Sequence, residues 1–304
     1  MKQTTSAKEK NSVHVFDYKV AAWMIGVHAL AFLGFWTFSW SNLFLMLALY
    51  FITGCLGITL CFHRLLSHRT FKVPKWLERT FAVCGVLAME GGPGEWVGHH
   101  RMHHAFSDTP KDPHNAREGF WHSHMGWLFK KVDEFDNELY LKKFARDIYS
   151  DKFLMWLDQK RVQLSLQALL ALSIFLLGGF GALIWGVFVR MVVLYHATWL
   201  VNSAAHIWGY QTHNVGDLAH NNWLVALVTF GEGWHNNHHA FGDVAPSGYR
   251  WWEFDLTFLV IRILVFFGLA RDIKMPPSHV HYDSLVWMPK AVIRRDAAAS
   301  ASAA

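Results

Sequence analysis

His100-Arg101-Met102-His103-His104 and His235-Asn236-Asn237-His238-His239 repeat one pattern, H-x2-H-H, in a chain that also carries His63 and His68 as H-x4-H. On a helix turning about 100° per residue, the first and last histidines of H-x2-H-H share a face, the middle one lies about 60° to the other side, and adjacent histidines diverge by about 100°. Divergence of that kind suits two metal ions better than one. The five residues from His63 to His68 amount to about 500°, which sets the rings some 140° apart unless the helix ends between them. That pair is therefore expected to reach a metal from a helix end and the turn after it. His206 is the ninth imidazole, one helical turn past Asn202 and on the same face of a regular helix. Polar rings left without partners beside apolar sequence would cost roughly 2–7 kcal/mol each, so the set asks for metal. Nine neutral nitrogen donors fill two four- or five-coordinate sites with an open position in each. Imidazole suits zinc, copper, iron and nickel alike, so ligand type does not name the metal.

A membrane-embedded helical frame must position these rings. The chain has 304 residues, 53% of them hydrophobic and 16% aromatic. Residues 20–62 contain no Lys, Arg, Asp or Glu, and residues 164–203 contain only Arg190. Each stretch is about 40 residues long, enough at roughly 1.5 Å per residue for two crossings of a hydrocarbon core about 30 Å thick. The pattern predicts an all-α membrane protein with four transmembrane helices, near residues 20–40, 42–62, 164–182 and 184–203. They form two hairpins that turn near Ser39, Ser41 and Asn42 and near Gly178, Gly179 and Gly181. Of the 28 Lys and Arg, all but Arg190 lie in the N-terminal part, in 63–163 or after 203. The positive-inside rule makes that side cytoplasmic, with both termini and a helical, histidine-bearing cap on it. One domain is expected over 17–295, between disordered tails at 1–16 and 296–304. With no apolar run in its first 16 residues, the chain is expected to use its first span as the targeting signal.

Other features exclude or add little. The apolar runs Leu77–Met89 and Asn222–Phe230 are too short to span and are expected at the interface. Phe254–Ala270, interrupted by Asp255 and Arg262 and preceded by Trp251 and Trp252, reads as an amphipathic helix lying on the membrane. The net charge of +5 fits contact with anionic headgroups. No basic run accompanies a nucleic-acid reading module. Cys55, Cys61 and Cys84 lack a pairing pattern and read as small buried hydrophobes.

The chain resembles the membrane fatty acid desaturases, specifically the delta-9 group that includes stearoyl-CoA desaturase and the acyl-lipid enzymes. The likeness runs from about Ala21 to Lys274 and rests on the three histidine motifs in order. It also includes Asp112-Pro113-His114-Asn115, Gly119-Phe120-Trp121 through Ser123-His124-Met125-Gly126-Trp127, Thr198-Trp199-Leu200-Val201-Asn202 through His206, and Gly231-Glu232-Gly233-Trp234-His235 through Phe241. The resemblance implies a di-iron centre held by His63, His68, His100, His103, His104, His206, His235, His238 and His239, with Asn202 holding a water on one iron. It implies O2-dependent insertion of a cis double bond near carbon 9 of a saturated C16 or C18 acyl chain, carried on membrane lipid or CoA. Electrons would come from a separate donor of ferredoxin or cytochrome b5 type. Trp199 is a candidate wall of the substrate tunnel, and Ala48, Ile52 and Leu56 are candidates for its closed end. Where the acyl-CoA enzymes carry headgroup-binding charges, this chain has Glu95-Trp96-Val97-Gly98-His99, which favours a lipid-borne chain.

The remaining residues take modest roles. His99 reads as a headgroup or supporting residue, and His114, His122 and His124 as fold or headgroup residues. His14, His28, His196, His213, His220, His279 and His281 lack spacing partners and read as ordinary. Arg190 needs an internal partner or must snorkel. Asp108, four residues past His104, is a candidate to orient a ligand imidazole. Rival readings are a membrane di-iron hydroxylase of alkyl chains or carotenoids, a zinc hydrolase, and a haem or metal-binding electron carrier or transporter. Zinc hydrolases typically use three protein ligands, which nine histidines exceed. Haem would want lone histidines facing each other across spans.

Overall fold

A computed structural model describes residues 15–132, 135, 137–283 and 293–294. The chain is mostly helical, and among the described residues the strands are two residues long: β1 (Val15–Phe16) pairs antiparallel with β2 (Lys130–Lys131), and β3 (Ile273–Lys274) pairs parallel with β4 (Ile293–Arg294). Val15 and Phe16, expected in a disordered tail, are thus paired; residues 1–14 and the expected tail at 296–304 lie outside the described residues.

Among the described residues three helices are long and apolar enough to cross a membrane: Tyr18–Trp36, Trp40–Ser67 and Lys160–His206. The first contains α1 (Tyr18–Phe32), capped by the Asp17 carboxylate, which accepts from the Lys19 and Val20 amides. The second opens with α2 (Trp40–Tyr50), capped by Ser39 at the expected turn. The third contains α9 (Lys160–Leu183) and α10 (Arg190–Asn202), and its backbone leaves the helix at Gly179 (φ 72°, ψ −166°). Glycine adopts that conformation without a side-chain clash. Past the break the two halves lie side by side: a Cβ on Gly186 would sit 3.2 Å from Ile174 Cδ1, and Gln167 Nε2 donates to Met191 Sδ.

After α2, residues Phe51–Ser67 form a π-helix, in which residue i pairs with i+5. Thr53 and Thr59 hydroxyls bond back one turn, and Ser67 Oγ donates to Phe62 O. Nearly all of this segment is buried. α3 (Lys75–Val86) crosses it so closely that a Cβ on Gly57 would lie 2.4 Å from the Gly85 amide nitrogen. α3 therefore buries Leu77, Phe81, Ala82 and Val86 in the core rather than lying along an interface by itself, although Trp76 remains exposed.

The shorter helices are α4 (Pro93–Phe106), α5 (Phe120–His124), α6 (Glu138–Phe144), α7 (Arg146–Tyr149), α8 (Lys152–Leu157), α11 (Trp223–Val228), α12 (His235–Ala240) and α13 (Leu256–Phe266). α11 is only six residues of the expected run, with Trp223, Leu224 and Leu227 exposed. α13 buries Phe258, Ile261 and Val265 and exposes Ile263 and Phe266, the two-faced pattern expected of it; Trp251 and Trp252 before it are exposed. Arg190 is fully buried and finds internal partners, donating from Nε to Gly186 O and from Nη1 to Thr53 Oγ1. Cys55 and Cys61 are buried free thiols and Cys84 is half-buried and free.

Candidate metal centre

The nine histidines gather in two adjoining groups. His63, His68, His100, His104 and His238 form one; His103, His206, His235 and His239 form the other, with the donor atoms of each group within 4.8 Å of one another. The two H-x2-H-H motifs contribute in opposite senses. In α4 the i, i+4 pair His100 and His104 serves the five-histidine group and His103 the other; in α12 the pair His235 and His239 serves the four-histidine group and His238 the other. The divergence of neighbouring histidines on a helix is thus what splits the set in two.

His63 and His68 meet by a different route from the one expected. The π-helix makes residues five apart into neighbours, with the His68 amide donating to His63 O, and the rings come to 4.9 Å between centroids. Asn202 ends α10, so His206 does not continue its face; Ser203 breaks the helix and His206 arrives on a short 3-10 turn, Ala204–His206.

Four of the ligand candidates are held from behind by carboxylates. His63 Nδ1 lies 2.7 Å from Glu232 Oε2, His103 Nδ1 2.9 Å from Asp112 Oδ2, His206 Nδ1 3.0 Å from Asp108 Oδ2, and His239 Nδ1 2.6 Å from Asp217 Oδ2. An ionised carboxylate only accepts, so His103, His206 and His239 each donate from Nδ1 and keep the Nε2 lone pair for the centre. The Nε2 atoms then crowd together: His63 to His238 at 3.1 Å, His104 to His238 at 2.9 Å, His68 to His100 at 2.7 Å, His206 to His235 at 3.0 Å and His103 to His239 at 3.3 Å. His103 and His239 both spend Nδ1–H on a carboxylate, so two lone pairs face each other unless a cation lies between them. That donor arrangement fits two metal ions.

The electrostatics agree. Burial, reinforced by neighbouring imidazoles, holds His68, His100, His104, His235, His238 and His239 well below the usual histidine range, so they stay neutral. His103 goes the other way: burial lowers it, but Asp112 outweighs that and raises it. Burial would raise Asp108 and Asp112, yet His206 and His103 respectively hold them below the usual carboxylate range.

A narrow cavity opens onto both groups. It is lined by His63, His100, His103 and His235 at the metal end and by apolar residues such as Tyr50, Ile58 and Leu194 away from it. Asn202 and Thr198 are among its polar lining groups. Its face on the second long helix is Tyr50, Gly54 and Ile58, not Ala48, Ile52 and Leu56; Ile52 points outward and is exposed. Trp199 is buried against Tyr195, His196 and His124, so it stands behind the wall that Thr198, Val201 and Asn202 present. Behind the same wall, the Glu90 carboxyl accepts from Thr198 Oγ1 at 2.9 Å and Trp96 Nε1 at 3.4 Å; burial pushes it up to about 7.

The other histidines take several places. His99 Nε2 meets Phe135 O, and His114 packs on His103 with its Nδ1 3.6 Å from Asp112 Oδ1. His122 sits on the surface with Glu118 and Lys130. His28 and His196, read as ordinary, join His124 in a chain: His28 Nε2 to His196 Nε2 at 3.1 Å, His196 Nδ1 to His124 Nε2 at 3.0 Å, and His124 Nδ1 to Ser203 Oγ at 3.0 Å. His220 Nδ1 meets Leu218 O, while His213, His279 and His281 line a separate open cleft of about 280 Å³ beyond α12. His14 lies outside the described residues. Asp108 does orient a ligand candidate, but His206 rather than His104. Sequence reasoning passed over Asp112, Glu232 and Asp217; the first two sit inside the quoted motifs, whereas nothing local marks Asp217.

A helical chain with membrane-length helices and two histidine groups that could each hold a metal ion defines the class of the protein. The model of the fatty acid desaturase family matches residues 38–262. An sn-1 stearoyl-lipid 9-desaturase from Synechocystis sp. is 48% identical over 263 residues, covering 86% of this chain and 81% of that protein. An sn-2 palmitoyl-lipid 9-desaturase from Nostoc sp. is 49% identical, covering 82% and 87%. An acyl-CoA 5-desaturase from Anemone leveillei is 43% identical, covering 92% and 85%. The chain belongs to the fatty acid desaturase family.

Proposed function

We propose that this protein is an acyl-lipid delta-9 desaturase. It introduces a cis double bond into a C16 or C18 acyl chain esterified to membrane lipid, using O2 and electrons from a separate ferredoxin- or cytochrome b5-like protein. The observation that carries this reading is the pair of imidazole groups at the mouth of a narrow, mostly apolar cavity, in a chain about half identical to lipid 9-desaturases. The same family includes relatives named for acyl-CoA and for position 5, so carrier and position are the parts of the proposal that chemistry must test.

The frame we propose is one domain over 17–295 with four spans in two hairpins, the halves of the third long helix crossing separately on either side of Gly179. Both termini and the metal centre face the cytoplasm. His63, His68, His100, His104 and His238 hold one iron, and His103, His206, His235 and His239 the other, with Asn202 placing a water beside the latter group. Bound iron supplies, with O2, the oxidising power that unactivated C–H bonds require. The protein's own share is position: Tyr50, Gly54, Ile58, Leu194 and Phe230 enclose the acyl chain and keep water out, and Thr198 and Asn202 mark where it reaches the centre. The carboxylates of Asp112, Asp108 and Asp217 fix the tautomers of His103, His206 and His239.

The test is expression in a host lacking unsaturated lipids, followed by gas chromatography of its fatty acids. The wild type should yield a cis monoene at carbon 9, recovered in the lipid fraction, and His103→Ala and His238→Ala should abolish it. Persistence of the product in both variants would remove the metal assignment, and an alcohol in place of the alkene would make the protein a hydroxylase.

A further inference from the structure

The two histidine groups stand in unequal electrostatic surroundings. Asp112, Asp108 and Asp217 back three of the four rings in one group. Among the described residues no Lys or Arg lies within ion-pair distance of those carboxylates; their other partners include backbone amides, such as Leu218 N on Asp108, Asp108 N on Asp112 and Ala219 N on Asp217, and the His114 ring, with Nδ1 3.6 Å from Asp112 Oδ1. The five-histidine group has a single carboxylate behind it, Glu232, which shares the Arg64 guanidinium with Asp255, Nε and Nη2 lying 3.0 and 2.8 Å from Glu232 Oε1. Burial differs in the same sense. In the four-histidine group only His239 is half-buried, whereas in the five-histidine group His68, His100 and His104 are half-buried and His63 and His238 are buried.

We infer that the two metal positions are inequivalent: the four-histidine position holds its ion tightly, and the five-histidine position is the labile one, in exchange with solvent. This rests on the di-iron reading above. A fifth imidazole adds a donor but no charge, whereas a cation placed away from water is stabilised chiefly by compensating charge. Three unneutralised carboxylates acting through Nδ1 supply that charge and raise the basicity of the rings, an effect of about 10–100-fold in metal affinity for each such partner. Asp108, Asp112 and Asp217 are accordingly positioning residues for one iron, whereas the other has only Glu232, whose charge is partly offset by Arg64.

The experiment uses the full-length, iron-loaded protein in detergent, challenged with graded concentrations of a ferrous chelator and read by iron content per chain and by Mössbauer spectroscopy. The expected result is two-step loss, with a plateau near one iron per chain and a single surviving quadrupole doublet. His104→Ala should keep the surviving doublet and His235→Ala should lose it. Asp217→Asn should shorten the plateau by moving the second step to about 10–100-fold lower chelator. Loss of both irons in one step from the wild type would overturn the inference, whether or not the variants fold. So would a retained iron that survives His235→Ala and disappears in His104→Ala. Wild-type protein that is active yet contains no iron would instead overturn the metal reading beneath it.

Discussion

Replacing Arg64 by Met should destabilise the protein by about 3–5 kcal/mol, the cost of leaving buried carboxylates without their cation. Arg64 is 2% exposed and makes four short contacts: Nε and Nη2 to Glu232 Oε1, Nη1 to Asp255 Oδ2 at 2.8 Å, and Nη1 to Ala245 O at 2.8 Å. Met keeps most of the aliphatic stem, so the cavity left behind contributes little and the unpaired charge dominates. Set against a typical total stability of about 5–15 kcal/mol, the loss is a large fraction. At roughly 2–4 °C per kcal/mol, the unfolding midpoint should fall by about 6–20 °C, measured by tryptophan fluorescence in detergent micelles. Adding Glu232→Gln and Asp255→Asn to the same variant removes the stranded charges and should recover part of the loss; Asn can still cap α13 as Asp255 does through the Phe258 amide. A loss below about 1 kcal/mol for the single variant, the scale of an exposed pair, would refute the argument. So would a triple variant no more stable than the single.

Gly57→Ala should cost at least about 1–3 kcal/mol, because its Cβ would meet the backbone at Gly85 and Cys84 rather than a side chain that can turn aside; Gly26→Ala, with open space around it, should be neutral or stabilising in the same melting assay. For Asp147, burial raises the carboxyl but Arg101 and Arg69 outweigh it and hold it at about 2. Its folded value is therefore depressed, and its stabilisation is present above pH 4 and lost as pH falls towards 2. Asp147→Asn should remove at most about 2 kcal/mol of pH dependence in that window, measured as the difference between wild-type and variant unfolding curves. Gly54→Leu should shift the monoene products from C18 towards shorter chains in gas chromatography, since a Cβ there already meets Phe230 Cε2 at 2.8 Å and Leu194 Cδ1 at 2.9 Å. An unchanged chain-length profile would mean that the acyl chain does not pass Gly54.

Residue type and local period were enough to pick out all nine convergent histidines, the apolar stretches that frame them and the break at Gly178–Gly181. The helical repeat also decides that His103 parts from His100 and His104, and His238 from His235 and His239, because that angle depends only on neighbours along the chain. The convergence of His63 and His68 was expected but not its route: regular α-helical geometry turns them apart, whereas the segment is a π-helix, buried for nearly its whole length and packed against α3, α4 and α13. Nor does any spacing connect His239 to Asp217 or His63 to Glu232, since these pairs form only when separate elements close on one another. The same packing turned Tyr50, Gly54 and Ile58 to the cavity, left Ile52 outside and set Trp199 behind its wall. An imidazole's capacity to bind metal is a property of the side chain and its position on a helix. Which carboxylate steadies it, and what charge surrounds it, is decided by contacts between residues far apart in the chain.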